Sequence, residues 1–381
     1  MKLVIAADSF KGSADAASVV AHLARGVQRL LPDAALVQLP LSDGGEGMLD
    51  IYLRAGGTRV PATVTGPDGR PVQAAYGLLP DGTAVIELAQ ASGLTLVPEG
   101  QRDALAATTY GTGELMRAAL DGGCRAMLIG IGGSATNDGG AGLAAALGVR
   151  FLDAAGQPLP PGGAALARLA RIDATGLDPR LARCPVTVAC DVINPLCGPS
   201  GASAVYGPQK GAAPADVALL DRALAHYGHL LAAQLGRDVA SLPGAGAAGG
   251  TGAALLAFCH AAIRPGIEAV LDTLHFDEAL SGADLVLTGE GRIDAQSVCG
   301  KVPVGVARRV KRLFPRLPVV AVVGGMGAGA ERVYAEGIDA IVPLPPRPMA
   351  LAECMRETAP LLEQAAERAL RLLLAGRALP R

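Results

Sequence analysis

Short apolar runs alternate with amphipathic helical stretches at both ends of this chain but not in its middle, so two distant segments have to share one sheet. Residues 3–6 are a compact apolar run. Residues 13–31 repeat apolar positions at helical spacing, with Val19, Val20, Leu23, Val27, Leu30 and Leu31 on one stripe, and Pro32 stops the stretch before a second strand at 36–39. Far downstream, runs at 285–287, 319–323 and 340–342 supply three more strands, separated by helices at about 303–313 and 329–336, and a long helix at about 358–375 follows. Alternation of this kind predicts a parallel sheet with right-handed crossovers. A chain of 381 residues exceeds one ordinary core, and with half of its residues hydrophobic it has the material for two. The expected fold class is α/β, with one domain made of residues 1–60 plus 265–381 and a second α/β domain, residues 61–264, inserted into it.

The middle follows a different rhythm. Strands at 58–65, 73–79 and 84–88 are joined by Pro-Asp-Gly turns at 67–69 and 80–82, which predicts antiparallel hairpins. A helix at about 110–121, a strand at 186–189, Pro- and Gly-rich loops at 155–163 and 195–214, and a helix at about 214–235 complete a mixed α/β pattern.

The chemistry is concentrated in four Gly-rich loops. In MLIGIGGSATNDGGAG, residues 127–142, an apolar strand ends at Ile131, small residues follow, and a helical run starts near Ala141. Glycine lets backbone N–H groups approach an anion, and a helix N-terminus adds partial positive charge. Gly132, Gly133, Ser134, Thr136 and Asn137 are therefore candidate phosphate contacts, with Asp138 beside them. The device recurs with acids in DSFKGS (8–13), SDGGEG (42–47) and TGEGRID (288–294), the first adding Lys11 and the last Arg292. Ligands of parallel sheets collect at the carboxyl ends of the strands, so Asp8, Asp43, Glu290, Gly324 and Gly325 should converge. DSFKGS also reads as a helix cap, with Ser13 capping and Asp15 in the first turn. SDGGEG suits a metal or substrate contact better than a plain turn. Asp191 directly follows a buried strand, a usual place for a catalytic carboxylate, and Lys210 with Gln209 offers a phosphate contact in the long segment after it. Glu290, Arg292, Asp294 and Lys301 crowd together after the strand at 285–287. GAGAAGG (244–250) reads equally as a linker or as a loop of close backbone approach.

Several function classes drop out. The net charge is −2 and no long basic run is present, which argues against nucleic acid as a partner; Arg308, Arg309, Lys311 and Arg312 read as the solvated face of a helix. Seven cysteines form no CxxC pair and match no common zinc spacing, so they read as reduced thiols of a cytoplasmic protein. The N-terminal MKLVIAADSF reads as a strand rather than a signal peptide, and no apolar run is long enough for a membrane span. P-loop, protein-kinase and dinucleotide fingerprints are absent, and five scattered histidines disfavour a hydrolase triad.

The motifs DSFKGS, DGGEG, TTYGTGEL (108–115), IGIGGSATNDGGAG (129–142), DVINPLCGPSGASAVYGPQKGA (191–212), GAGAAGG and TGEGRID with GKVP (288–303) occur in an order that resembles the bacterial glycerate kinase family, and they span nearly the whole chain. Small departures, such as Ile193 where a polar residue is common, remove no charged group. The resemblance implies two α/β domains, one of them Rossmann- or flavodoxin-like, with the site in the cleft between them. It further implies ATP- and Mg²⁺-dependent phosphorylation of D-glycerate, at the C2 hydroxyl, by a monomer or homodimer. On this reading Asp191 orients or deprotonates the hydroxyl, and Asp8, Asp43 and Glu290 hold Mg²⁺. Lys11, Arg292 and Lys301 bind the substrate carboxylate and the moving phosphoryl group. Ser9, Gly289, Lys210 and the 132–137 loop contact substrate or ATP phosphates. Phosphoryl transfer needs this kind of positioning and charge neutralisation more than covalent chemistry. A kinase of another small hydroxy acid and a non-catalytic sensor of acidic metabolites are the alternatives.

Overall fold

A computed structural model describes residues 1–42, 47–54, 56–295 and 297–377. The candidate metal ligand Asp43, with most of the DGGEG motif, lies outside the described residues. The chain divides into two compact units: residues Met1–Asp43 with Ile267–Arg381, and residues Gly44–Gly266.

Unit 1 is built on five strands, β1 (Lys2–Ala7), β2 (Ala35–Pro40), β3 (Leu285–Ile293), β4 (Val319–Met326) and β5 (Ala340–Pro343). All pairs are parallel and the order is β5-β4-β3-β1-β2. This is the flavodoxin-like order, in which the direction of winding reverses between β1 and β3. Helix α1 (Ala16–Leu30) buries Val19, Val20, Leu23 and Val27, as the stripe requires. Its cap is Asp15, which accepts the Ser18 N–H at 2.6 Å; Ser13 instead donates to the Phe10 carbonyl at 3.0 Å. The cap lies two residues later than the sequence suggests because 10–14 close a small turn through a Phe10–Ala14 bridge. Helix α2 (Val302–Leu313), the short α3 (Leu351–Arg356) and the long α4 (Thr358–Arg377) belong to the unit, with shorter helices at Gly266–Thr273 and Phe276–Leu280; the stretch expected as a helix at 329–336 is a 3₁₀ turn, Ala330–Glu336. Gly26 lets α1 and α4 touch, since a Cβ there would stand 2.2 Å from the Glu363 carbonyl oxygen. The α2 arginines are ion-paired rather than merely solvated: Arg309 meets Glu268 at 2.8 Å, Asp272 at 2.9 Å and Asp277 at 2.7 Å.

Unit 2 carries a six-stranded mixed sheet. Thr83–Glu87, Ala126–Gly130, Val186–Ala189 and Ala262–Arg264 run parallel, and Thr58–Thr65 and Pro71–Leu78 extend the sheet as antiparallel hairpin strands. The hairpins follow the Pro-Asp-Gly signals. Its core is dominated by Ala, Leu, Val and Ile, with Phe151, Tyr227 and Phe258 as the aromatic anchors. The 195–214 segment is not a plain loop, because Ala202–Tyr206 is helical and Pro208–Lys210 is a 3₁₀ turn.

Candidate active site

In unit 1, the ends of β1, β3 and β4 enclose a cavity of about 610 Å³. Asp8, Ser9 and Lys11 reach it from the loop after β1, Glu290 and Arg292 from β3, and Lys301 from the turn before α2. Glu290 and Arg292 lie within β3 rather than after it. The ladder to β4 continues through Glu290–Val323 and Arg292–Gly325, so pairing overrides a stretch that is not apolar enough to read as strand. Gly289 sits deeper, buried in β3, where its carbonyl accepts the Asp8 N–H at 3.0 Å.

Glu290 is almost wholly buried and accepts a hydrogen bond from the Ser297 hydroxyl at 2.7 Å. Lys301 Nζ stands 3.8 Å from Glu290 Oε2 and 4.0 Å from Asp294 Oδ1, and Arg292 Nε lies 3.5 Å from Asp294 Oδ2. Burial pushes the Glu290 carboxyl up to about 7, against the Ser297 bond and the Lys301 charge, with Asp8 and Asp294 adding repulsion. Such a group is half ionised at neutral pH and gains from a cation beside it. Among the described residues no three His, Cys, Asp or Glu side chains form a metal cage. Mg²⁺ is commonly held by one or two carboxylates plus phosphates and waters. The carboxylate oxygens of Asp8 and Glu290, near enough for Asp8 to help raise Glu290, fit that requirement.

Unit 2 gathers the remaining candidates at the carboxyl ends of its parallel strands. The register sets Glu87 beside Gly130, Gly130 beside Ala189 and Ala189 beside Arg264. The Gly-rich loop follows Gly130, and Gly133 takes a positive φ of 72°. Lys210 is 1 % exposed and ties the loop from inside, donating to Ser134 Oγ at 2.8 Å and to the Thr136 carbonyl at 2.7 Å. Burial lowers its ammonium to about 7, with the Asp138 charge opposing. Thr136, Asn137 and Asp138 are also buried, so their side chains build the loop, and the backbone of Gly132 and Gly133 is what it shows to solvent. Asp138 accepts from Thr109 N–H (2.8 Å), Thr109 Oγ1 (2.9 Å), Gly140 N–H (3.0 Å) and Gly142 N–H (3.2 Å). Asn137 Nδ2 donates to Ser203 Oγ at 2.9 Å. Asp191 Oδ1 accepts the Gly266 N–H at 2.9 Å.

GAGAAGG is a close-approach loop. A Cβ on Gly249, whose φ is +68°, would lie 2.0 Å from the Thr136 carbonyl oxygen, and Gly139 N–H donates to the Gly249 carbonyl at 2.9 Å. Two polar residues are not singled out by the sequence. Ser297 lies in an unremarkable segment, and Glu87 ends an apolar strand. Glu87 is buried, accepts from Leu49 N–H at 2.9 Å and Gln90 Nε2 at 3.0 Å, and is raised by burial above the usual carboxylate range. Its only sequence signal is a carboxylate at the end of an apolar strand.

A parallel sheet with carboxylates and cations at its switch point, and a Gly-rich loop on a second sheet, are parts that a phosphoryl-transfer enzyme uses. The sequence profile of the glycerate kinase family matches residues 3–374, and the chain belongs to that family; it is a kinase. It is 50 % identical over 366 residues to the glycerate kinase of Halalkalibacterium halodurans (strain ATCC BAA-125 / DSM 18197 / FERM 7344 / JCM 9153 / C-125), covering 96 % of each chain. It is 49 % identical over 343 residues to the glycerate 2-kinase of Escherichia coli (strain K12), covering 90 % of each. A solved Salmonella typhimurium LT2 protein that carries the name glycerate kinase 2 superposes with a TM-score of 0.87 at 49 % identity over 100 % of both chains.

Proposed function

We propose that this kinase transfers the γ-phosphoryl group of ATP to the C2 hydroxyl of D-glycerate, giving 2-phosphoglycerate and ADP. The observation that carries the reading is the unit 1 cavity, where Lys11, Arg292 and Lys301 stand among Asp8 and Glu290 at the carboxyl ends of a parallel sheet. The names of the relatives support glycerate as the substrate, and the name of the glycerate 2-kinase supports the C2 position. Asp8 and Glu290 would hold a Mg²⁺ ion, which when bound neutralises phosphate charge. Lys11 and Lys301 stabilise the moving phosphoryl group, and Arg292 pairs with the substrate carboxylate. In unit 2, Asp191 takes the proton as the hydroxyl oxygen bonds to phosphorus and the bond to the bridging oxygen of ADP breaks. The backbone of the Gly132–Gly133 turn is assigned phosphate contact, and Lys210 acts through Ser134 and Thr136 rather than by touching the ligand. No described helix is long and apolar enough to cross a membrane. Six described cysteines are free thiols, in keeping with a cytoplasmic setting.

The test is release of ADP from ATP by purified protein with Mg²⁺ and D-glycerate, with the product read by ³¹P NMR. Glycerate-dependent turnover to 2-phosphoglycerate is expected. Turnover only with another hydroxy acid, or 3-phosphoglycerate as product, overturns the substrate or the position respectively.

A further inference from the structure

Several residues that line the unit 1 cavity have no part in the chemistry above. Its lining also includes Phe10, Met326, Leu344, Leu351 and Met355, drawn from the turn after β1, the end of β4, the segment after β5, and α3. Leu351 is 75 % exposed, Met326 51 % and Met355 37 %. Large exposed apolar side chains lining a cavity that also carries charged groups are a ligand surface, not a core. Glycerate, a three-carbon acid, has no apolar face to cover them. A volume of about 610 Å³ is instead the size of pockets that hold drug-sized molecules.

The geometry points to a base subsite: the Met326–Leu351–Met355 wall takes the planar heteroaromatic base of the nucleoside triphosphate, with the phosphates directed toward Lys11 and Lys301. The inference rests on the kinase reading above and deepens it. Three observations converge on it. The cavity lies at the β1/β3 reversal of a flavodoxin-like sheet, the position where such sheets bind flat nucleotide-like ligands. Two methionines supply unbranched, polarizable contact that suits an aromatic ring. The hydroxyls on this wall are committed to their own turns, Ser13 donating to the Phe10 carbonyl at 3.0 Å and Thr358 to the Cys354 carbonyl at 3.0 Å, so the wall receives the ring by its faces.

The experiment measures binding of Mg·ADP and Mg·pyrophosphate by calorimetry to the full-length protein and to Leu351→Asp and Met326→Asp. Placing a carboxylate against the base is expected to raise the ADP Kd about tenfold and leave pyrophosphate within about twofold. Both positions are exposed, and thermal melts verify folding. Leu351→Ala, which adds no charge, should weaken ADP by about threefold. An ADP Kd unchanged in all three variants overturns the subsite, and so does an equal loss for ADP and pyrophosphate. Binding of ADP needs no acceptor. A wild-type protein that shows the ADP pattern but no turnover with glycerate therefore refutes the substrate and leaves the subsite standing.

Discussion

At the scale of single residues, Glu290 carries the most consequence. Its carboxyl titrates near 7 chiefly because it is buried. In the unfolded chain the group ionises in the ordinary range near 4.5, so between about 4.5 and 7 the folded protein holds a proton that the unfolded chain has lost. Stability therefore falls as pH rises through that window and levels off above it. Glu290→Gln should remove this cost: urea denaturation is expected to show the variant more stable by about 1–3 kcal/mol at pH 8, with the gap shrinking below pH 5. The same variant should lose most turnover. Mg²⁺ affinity of the native protein should rise with pH through about 7 and release a proton on binding, read by calorimetry in two buffers. Ser297→Ala removes a bond that favours the carboxylate, so Glu290 should be pushed further up. The acidic limb of the kcat/KM profile is then expected to move up by about one pH unit, with Ser297→Thr restoring it.

At the scale of elements, the Gly-rich loop is held from behind. Lys210 supplies two hydrogen bonds to it from a buried position. Lys210→Met keeps the bulk but leaves Ser134 Oγ and the Thr136 carbonyl without that donor. A loss of about 2 kcal/mol in chemical denaturation is expected, with kcat reduced. Because burial lowers the folded ammonium to about 7, far below its unfolded range, native stability should rise with pH from about 7 toward 10, a slope absent in the variant. Gly249→Ala combines a positive φ with a Cβ 2.0 Å from the Thr136 carbonyl, so it should cost several kcal/mol and disturb the same loop. Hydrogen exchange at residues 132–138 reports both changes.

At the scale of the molecule, unit 2 is one continuous segment with its own core, whereas unit 1 is assembled from both ends of the chain. A fragment of residues 44–266 is therefore expected to fold alone with a cooperative thermal transition, and a fragment of residues 1–43 is not. Absence of a cooperative melt in the first fragment would refute this. The strands, α1 and the hairpins are legible in the sequence because they depend on local rules: apolar spacing, Pro-Asp-Gly turns, and proline as a stop. The candidate residues are legible for a related reason, since charged groups beside glycine at strand ends need no knowledge of packing. What stays hidden depends on residues distant in sequence. The extension of β3 through Glu290 and Arg292 needs β4 alongside, and the ion pairs of Arg309 need Glu268 and Asp277. Read alone, the chain's preferences mark the strands and amphipathic helices with clear apolar spacing, and the small and charged residues at their ends, because those preferences are local. Only the tertiary structure decided that Lys210 faces inward, that Glu290 titrates near neutrality and that Met326, Leu351 and Met355 share one wall, because burial and proximity are properties of the packed chain.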